Sequence, residues 1–256
     1  ITQNDTPITH CGLNQINSPR SSRLPLLGIS LGLAAMGAAL IAGTGYRQGW
    51  WHFLRGIQIA EGAVYVAAIG FVLSLLGLWR LRRQPGAVMT GLLGVLLTLP
   101  LLAIGLQWEY ATRTYPPIND ISTDTENPPE FWDMPNPMAY PGAVVAQQQR
   151  LGYPDLLPLT LDMAPPVVFG KALHLVQERG WTVVGSDANE GRIEAVATSR
   201  LFGFSDEVTI RIATEGSGSR VDIRSRSRLG QIDRGTNAQR IRGWMDDLQV
   251  RTQQKP

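Results

Sequence analysis

Cysteine is nearly absent from this chain: its one such residue, Cys11, stands in "ITHCG". A lone cysteine excludes an internal disulfide and a two-cysteine metal site, and its neighbours lack the small and apolar residues of a lipidation box. Histidine is scarce as well. Beyond residue 108 there is only His174, with no cysteine and no nucleophile elbow near it, which argues against triad hydrolysis. Net charge is small, 23 basic against 21 acidic side chains, and does not suit a dedicated nucleic-acid binder. Acids are missing from a whole region. Every one except Asp5 and Glu61 lies beyond residue 108, so the C-terminal part reads as water-soluble and the part before it does not. Ile1 is too bulky for ordinary initiator-methionine trimming, which leaves upstream residues an open alternative.

The acid-poor region holds three apolar runs, Leu24 to Gly45, Ile57 to Trp79 and Gly86 to Trp108. At about 1.5 Å per helical residue, each is long enough to cross roughly 30 Å of hydrocarbon. Buried helices of a soluble core would need shorter runs with polar stripes. The expected layout is an N-terminal tail over 1–23 and three transmembrane helices over 24–108 (24–45, 57–79 and 86–108). Arg20, Arg23, Arg80, Arg82 and Arg83 flank one side of these spans, and Arg47, Arg55 and Arg113 the other. Five against three predicts a cytoplasmic N-terminus and places the C-terminal domain across the inner membrane, in the periplasm of a Gram-negative cell. Signal cleavage ahead of Ile1 would invert that order.

Between the first two spans, "YRQGWWHFLRG" sets Trp50, Trp51 and Phe53 among cations, the pattern of an interfacial anchor. His52 inside it reads as part of that amphipathic stretch more readily than as a haem or pigment ligand. Gly28, Gly32, Ala35 and Ala39 form a smooth strip along which another helix can approach, from this chain or another. Glu61 is the intramembrane acid; it lies close enough to a helix end for its carboxylate to reach the interface. Pro100 is expected to kink the third span.

The remainder, 109–256, is expected to be an extracytoplasmic α+β domain that begins with an extended acidic arm over 114–158. Asp162 is a candidate N-cap, Pro165 and Pro166 suit a first helical turn, and Val168, Ala172, Leu175 and Val176 give that helix an apolar face before Gly180. Then the period changes. "WTVVGS", "GRIEAVATSR", "EVTIRIAT" and "SRVDIRSRSRL" alternate like strands and are joined by glycine-rich reversals, so a four-stranded antiparallel meander is expected. Ile241, Trp244, Met245 and Leu248 recur at helical spacing in a closing helix from Thr236 to Arg251, and two helices should cover one face of the sheet.

"YPPINDISTDTENPP", "YPDLLPL", "GRIEAVATSRLFGFSDEVTIRI" and "SRVDIRSRSRLGQIDRGTNAQRIR" together resemble a bacterial and plastid family known as domain of unknown function 1499. The resemblance runs from about Thr114 to Leu248 and leaves the membrane spans outside the shared module. It implies no agreed chemistry.

The last strand places Arg220, Asp222, Arg224, Arg226 and Arg228 on one face and Val221, Ile223, Ser225, Ser227 and Leu229 on the other. Crowded guanidinium groups need water, counter-ions or carboxylates. The arm offers carboxylates at Asp120, Asp124, Glu126 and Glu130, with Ile118, Ile121, Phe131 and Trp132 as apolar anchors. A clasp of Asp120, Asp124 and Glu126 on Arg224, Arg226 and Arg228 is therefore the favoured reading; solvent or an external anion such as a lipid phosphate is the alternative. The acids lack the ligand spacing and turn glycine of a calcium loop, and "GSGS" lacks the context of a phosphate loop. No catalytic, cofactor-binding or metal-ligating residue is assigned. The expected function is that of a non-catalytic, membrane-anchored accessory or structural subunit. Its partners would be the lipid bilayer and other membrane protein subunits, with a photosynthetic or respiratory complex as one host. An envelope enzyme acting on lipid or saccharide, and a module binding anionic lipid or another ligand, are the alternatives.

Overall fold

The three apolar runs, whose one internal charge is Glu61, have no polar face to turn to water, and they form the three longest helices. A computed structural model describes residues 23–135 and 138–253; Cys11, Arg20 and the rest of the 1–22 tail lie outside the described residues. Helices α1 (Arg23–Arg47), α2 (Phe53–Arg80) and α3 (Pro85–Thr114) are each long and apolar enough to cross a membrane. Helix α3 continues through Pro100 and past Trp108, its last turn joined by a Glu109–Arg113 pair at 2.6 Å.

The described chain divides into two compact units, residues 23–36 with 63–101, and residues 37–62 with 102–253. In the first, the small-residue strip of α1 meets sister helices. A Cβ on Gly28 would stand 2.1 Å from Ser74 Oγ and 2.9 Å from Gly70 O, and one on Gly32 would stand 3.2 Å from Thr98 Cγ2. The hydroxyls of Ser74 and Thr98 are buried and donate to Gly70 O and Gly94 O, so neither leaves an unmet polar group between helices.

The second unit contains the α+β domain. Its open antiparallel sheet runs in the order β1-β6-β5-β4-β3, with a further short strand, β2, also on β6. The meander comprises β3 (Thr182–Asp187), β4 (Arg192–Thr198), β5 (Ser205–Glu215) and β6 (Gly218–Ser227). Two short strands, β1 (Asp120–Ser122) in the arm and β2 (Leu159–Leu161) just after it, lie along β6. One face of the sheet carries Ile193, Ala195, Val208, Ile210, Val221 and Ile223, all buried. Helices α5 (Pro165–Glu178) and α6 (Thr236–Gln253) cover that face through Val168, Leu175, Ile241, Trp244 and Leu248.

Two local expectations differ from the structure. The arm is not extended throughout: after β1 it forms α4 (Ala143–Gly152), a helix too short to show repeating periodicity in sequence. The α5 N-cap is Ala164, not Asp162. With prolines at the first two positions, fewer N–H groups need a side-chain acceptor.

Candidate functional site

The second face of the sheet is polar, and strand alternation builds it. Arg192 and Glu194 of β4, Glu207, Thr209 and Arg211 of β5, and Arg220, Asp222, Arg224 and Arg226 of β6 share that face. Residues 120–135 of the arm lie over it, so the charges are buried: Glu194, Glu207, Asp222 and Arg224 are at most 1% exposed.

At the centre, Arg224 donates to both carboxylate oxygens of Asp120, at 2.9 and 2.7 Å, and to the carbonyls of Pro129 and Met138. Phe131 and Tyr140 flank its guanidinium at 4.8 and 5.5 Å. Asp124 accepts from Arg220 at 2.8 Å and Arg211 at 3.3 Å, and Asp222 accepts from the same two arginines. The arm meets Arg226 through the Phe131 ring, at 4.5 Å, and not through the expected Glu126 carboxylate. Arg226 and Arg228 both pair with Glu207 of the neighbouring strand, whose carboxylate stands opposite Arg226 in the register. Glu126 does not join the cluster; it is exposed, 3.7 Å from Arg150.

Backbone groups complete the cover. Trp132 and Asp133 donate their N–H groups to Glu194 at 2.7 and 3.0 Å, and Thr209 Oγ1 donates to Glu130 O. Gln149 of α4 accepts from Ser122 N and donates to Ser122 O, so a side-chain amide takes the place of a next strand on β1. Ile118, Ile121 and Phe131 are buried, whereas Trp132 is 65% exposed with its ring beside Arg192.

Electrostatics follow from this burial. Desolvation, reinforced by the Asp120 charge, pushes the Tyr140 phenol up to about 12, so it remains a donor, bonded to Gln149 Oε1 at 3.2 Å. Hydrogen bonding with Asp222 raises Arg220 above its ordinary value against opposing desolvation. Desolvation also opposes the charge on Arg192, but Glu194 and Asp133 outweigh it and raise its pKa. Among the described residues, no group of three His, Cys, Asp or Glu side chains converges to hold a metal. His174 is exposed and sits 3.2 Å from Glu178.

The aromatic turn before α2 has a partner that sequence reasoning missed. The β4–β5 tip, residues 199–204, seats Leu201 and Phe202 against Gly43 and Gly56, where added Cβ atoms would stand 2.8 and 3.1 Å away. Phe204 meets the rings of Tyr46 and Phe53 at 5.3 and 6.4 Å, and Arg47 donates to Arg200 O at 3.0 Å. Trp51 packs on Gly45 and donates to Ala42 O, while Trp50 is 66% exposed. Glu61 is exposed and lends its charge to Arg234, which stacks 4.0 Å from Trp108 and donates to Thr112 Oγ1. The overlooked signal was the composition of "RLFGFS": three large apolar side chains in a hairpin tip, where polar residues are usual. Glu194 and Glu207 were also missed, and Asp222, placed on the charged face of the last strand, was not read as an acceptor, although the meander's register places Glu207 opposite Arg226 and Asp222 opposite Arg211.

A family model described as a protein of unknown function (DUF1499) matches residues 120–248. No curated protein matches the chain.

Proposed function

Because the chain belongs to the DUF1499 family, a membership that brings no reaction with it, we propose that it is a non-catalytic, membrane-anchored accessory or structural subunit. It docks on a larger membrane protein complex, a photosynthetic or respiratory one among the candidates. The domain is carried on the far side of the inner membrane from a cytoplasmic N-terminus, a direction supported by the five-to-three arginine imbalance. The observation that carries the reading is the state of the polar face. Its carboxylates and guanidinium groups are engaged with one another and hold the arm in place. Apolar side chains, by contrast, stay outside: Val144 and Leu151, at i and i+7 on α4, are 71% and 78% exposed, and Leu157 is 65% exposed.

Purification of the full chain in mild detergent is expected to bring down a larger membrane assembly at fixed stoichiometry. The double variant Val144→Glu, Leu151→Glu should lose that assembly while its own melting is unchanged. A lone monodisperse protein from native membranes would overturn the proposal.

A further inference from the structure

Arginine divides into two groups in this protein. Beyond residue 108, every described arginine except Arg200 and Arg234 is ion-paired to a carboxylate, the buried Arg224 and Arg226 included. Arg80, Arg82 and Arg83, at the turn from α2 to α3, are different. The described part of their unit, residues 23–36 and 63–101, contains no aspartate or glutamate, and all three guanidinium groups are exposed.

The turn itself is well defined. Leu81 is 7% exposed, its N–H donates to Gly77 O at 2.9 Å, Gln84 N–H donates to Leu81 O at 2.8 Å, and Val88 N–H donates to Gln84 O at 3.0 Å. The arginines therefore splay from a fixed loop around an open hollow of about 630 Å³ lined by Trp79, Arg80, Leu81, Arg82, Arg83 and Gln84. A Cβ on Gly77 would stand 2.7 Å from the Pro25 ring, so the start of α1, with Arg23, lies at the same end. Trp79 is 71% exposed, and below it Leu75 and Leu76 leave an apolar flank.

We propose that the α2–α3 turn binds the phosphate of an anionic phospholipid headgroup through Arg80, Arg82 and Arg83. A guanidinium fork matches two phosphate oxygens, and a cluster at the end of a membrane span lies at headgroup depth. Trp79 occupies the boundary where amphipathic rings settle, and Leu75 and Leu76 supply the surface for an acyl chain. A free phosphate would use the same donors but leave that flank unused. The lipid is accordingly the ligand, and the site is separate from the polar face of the sheet, whose arginines are already paired with carboxylates.

Native mass spectrometry of the full chain from detergent micelles tests this, with phosphatidylglycerol, phosphatidylcholine of the same acyl chains, and inorganic phosphate as probes. Phosphatidylglycerol should be retained over phosphatidylcholine by about tenfold or more, and inorganic phosphate at the same concentration should not displace it. At about fivefold per arginine, the triple variant Arg80→Gln, Arg82→Gln, Arg83→Gln should fall to the phosphatidylcholine level. Arg47→Gln with Arg55→Gln should change nothing. Should the triple variant fail to fold, Arg82→Gln alone lowers retention about fivefold. Equal retention of the two lipids by the wild-type chain, displacement by inorganic phosphate, undiminished binding in the Gln variants, or equal loss in the Arg47, Arg55 control would each overturn the site.

Discussion

Arg224 is one of the largest wholly buried side chains among the described residues, and a guanidinium in such a place is tolerated because each of its three nitrogens donates to an acceptor. Removing one member of a buried pair strands the other. Asp120→Ala is therefore expected to destabilise the full chain in detergent by about 3–5 kcal/mol. Glu126→Ala, at an exposed site far from ideal pairing, should stay within about 0.5 kcal/mol. Thermal unfolding of both variants decides the matter, and equal effects would mean that the arm is not held by its buried acid. The choice of arginine fits the arrangement: only Lys171 and Lys255 are lysines, and a planar fork grips a carboxylate in a way an ammonium cannot. That the arginines of β6 share a face was legible in sequence from alternation alone. Which acid each one meets was not, because Asp120 and Arg224 are 104 residues apart and Glu207 reaches Arg226 only through strand pairing.

Helix α6 begins at a cap of its own making. Asp233 accepts from Gly235 N–H at 2.9 Å and Asn237 N–H at 2.8 Å, yet burial outweighs these bonds and holds its carboxyl above the ordinary carboxylate range. The folded state thus binds this proton more tightly than the unfolded chain. The associated stability is complete below the unfolded pKa, about 3.9, and is lost as pH rises through the higher folded value. Asp233→Asn should remove that decline, so variant stability relative to wild type should rise with pH across the window. Parallel stability curves in a pH series of unfolding measurements would refute it. The β4–β5 tip makes a second element-level claim. At Gly43 a Cβ would stand 2.8 Å from Leu201 O, a backbone atom that cannot swing aside. Gly43→Val is expected to unseat residues 199–204 and expose them to protease in the folded full chain; an unchanged cleavage pattern would show that the tip does not depend on this seat.

For the protein as a whole, the helices set how the domain is carried, and the proposed direction is open to direct measurement. Alkaline phosphatase fused after residue 253 should be active in a Gram-negative host, and green fluorescent protein at the same point should stay dark. The reverse pattern would place the domain in the cytoplasm and invert the orientation. Either way, the tip contacts on α1 and α2 and the Arg234 contacts on Trp108 and Thr112 tie the α+β domain to helix ends at two places.

The amino-acid order by itself determined the three spans, the four meander strands and helices α5 and α6, because length, apolar period and turn residues act over a few neighbours. It also supplied two opposed charge sets, the acids of the arm and the arginines of β6. Only the tertiary structure decided how they match: Asp120 and Asp124 bond to the sheet, Glu126 does not, and Glu207 pairs with Arg226 and Arg228. Helix α4 and the aromatic seat of residues 199–204 were also settled there. The reason is physical. Pairing energies of charges and rings depend on separations of a few ångströms, and those separations are set by strand register and helix packing, not by distance along the chain.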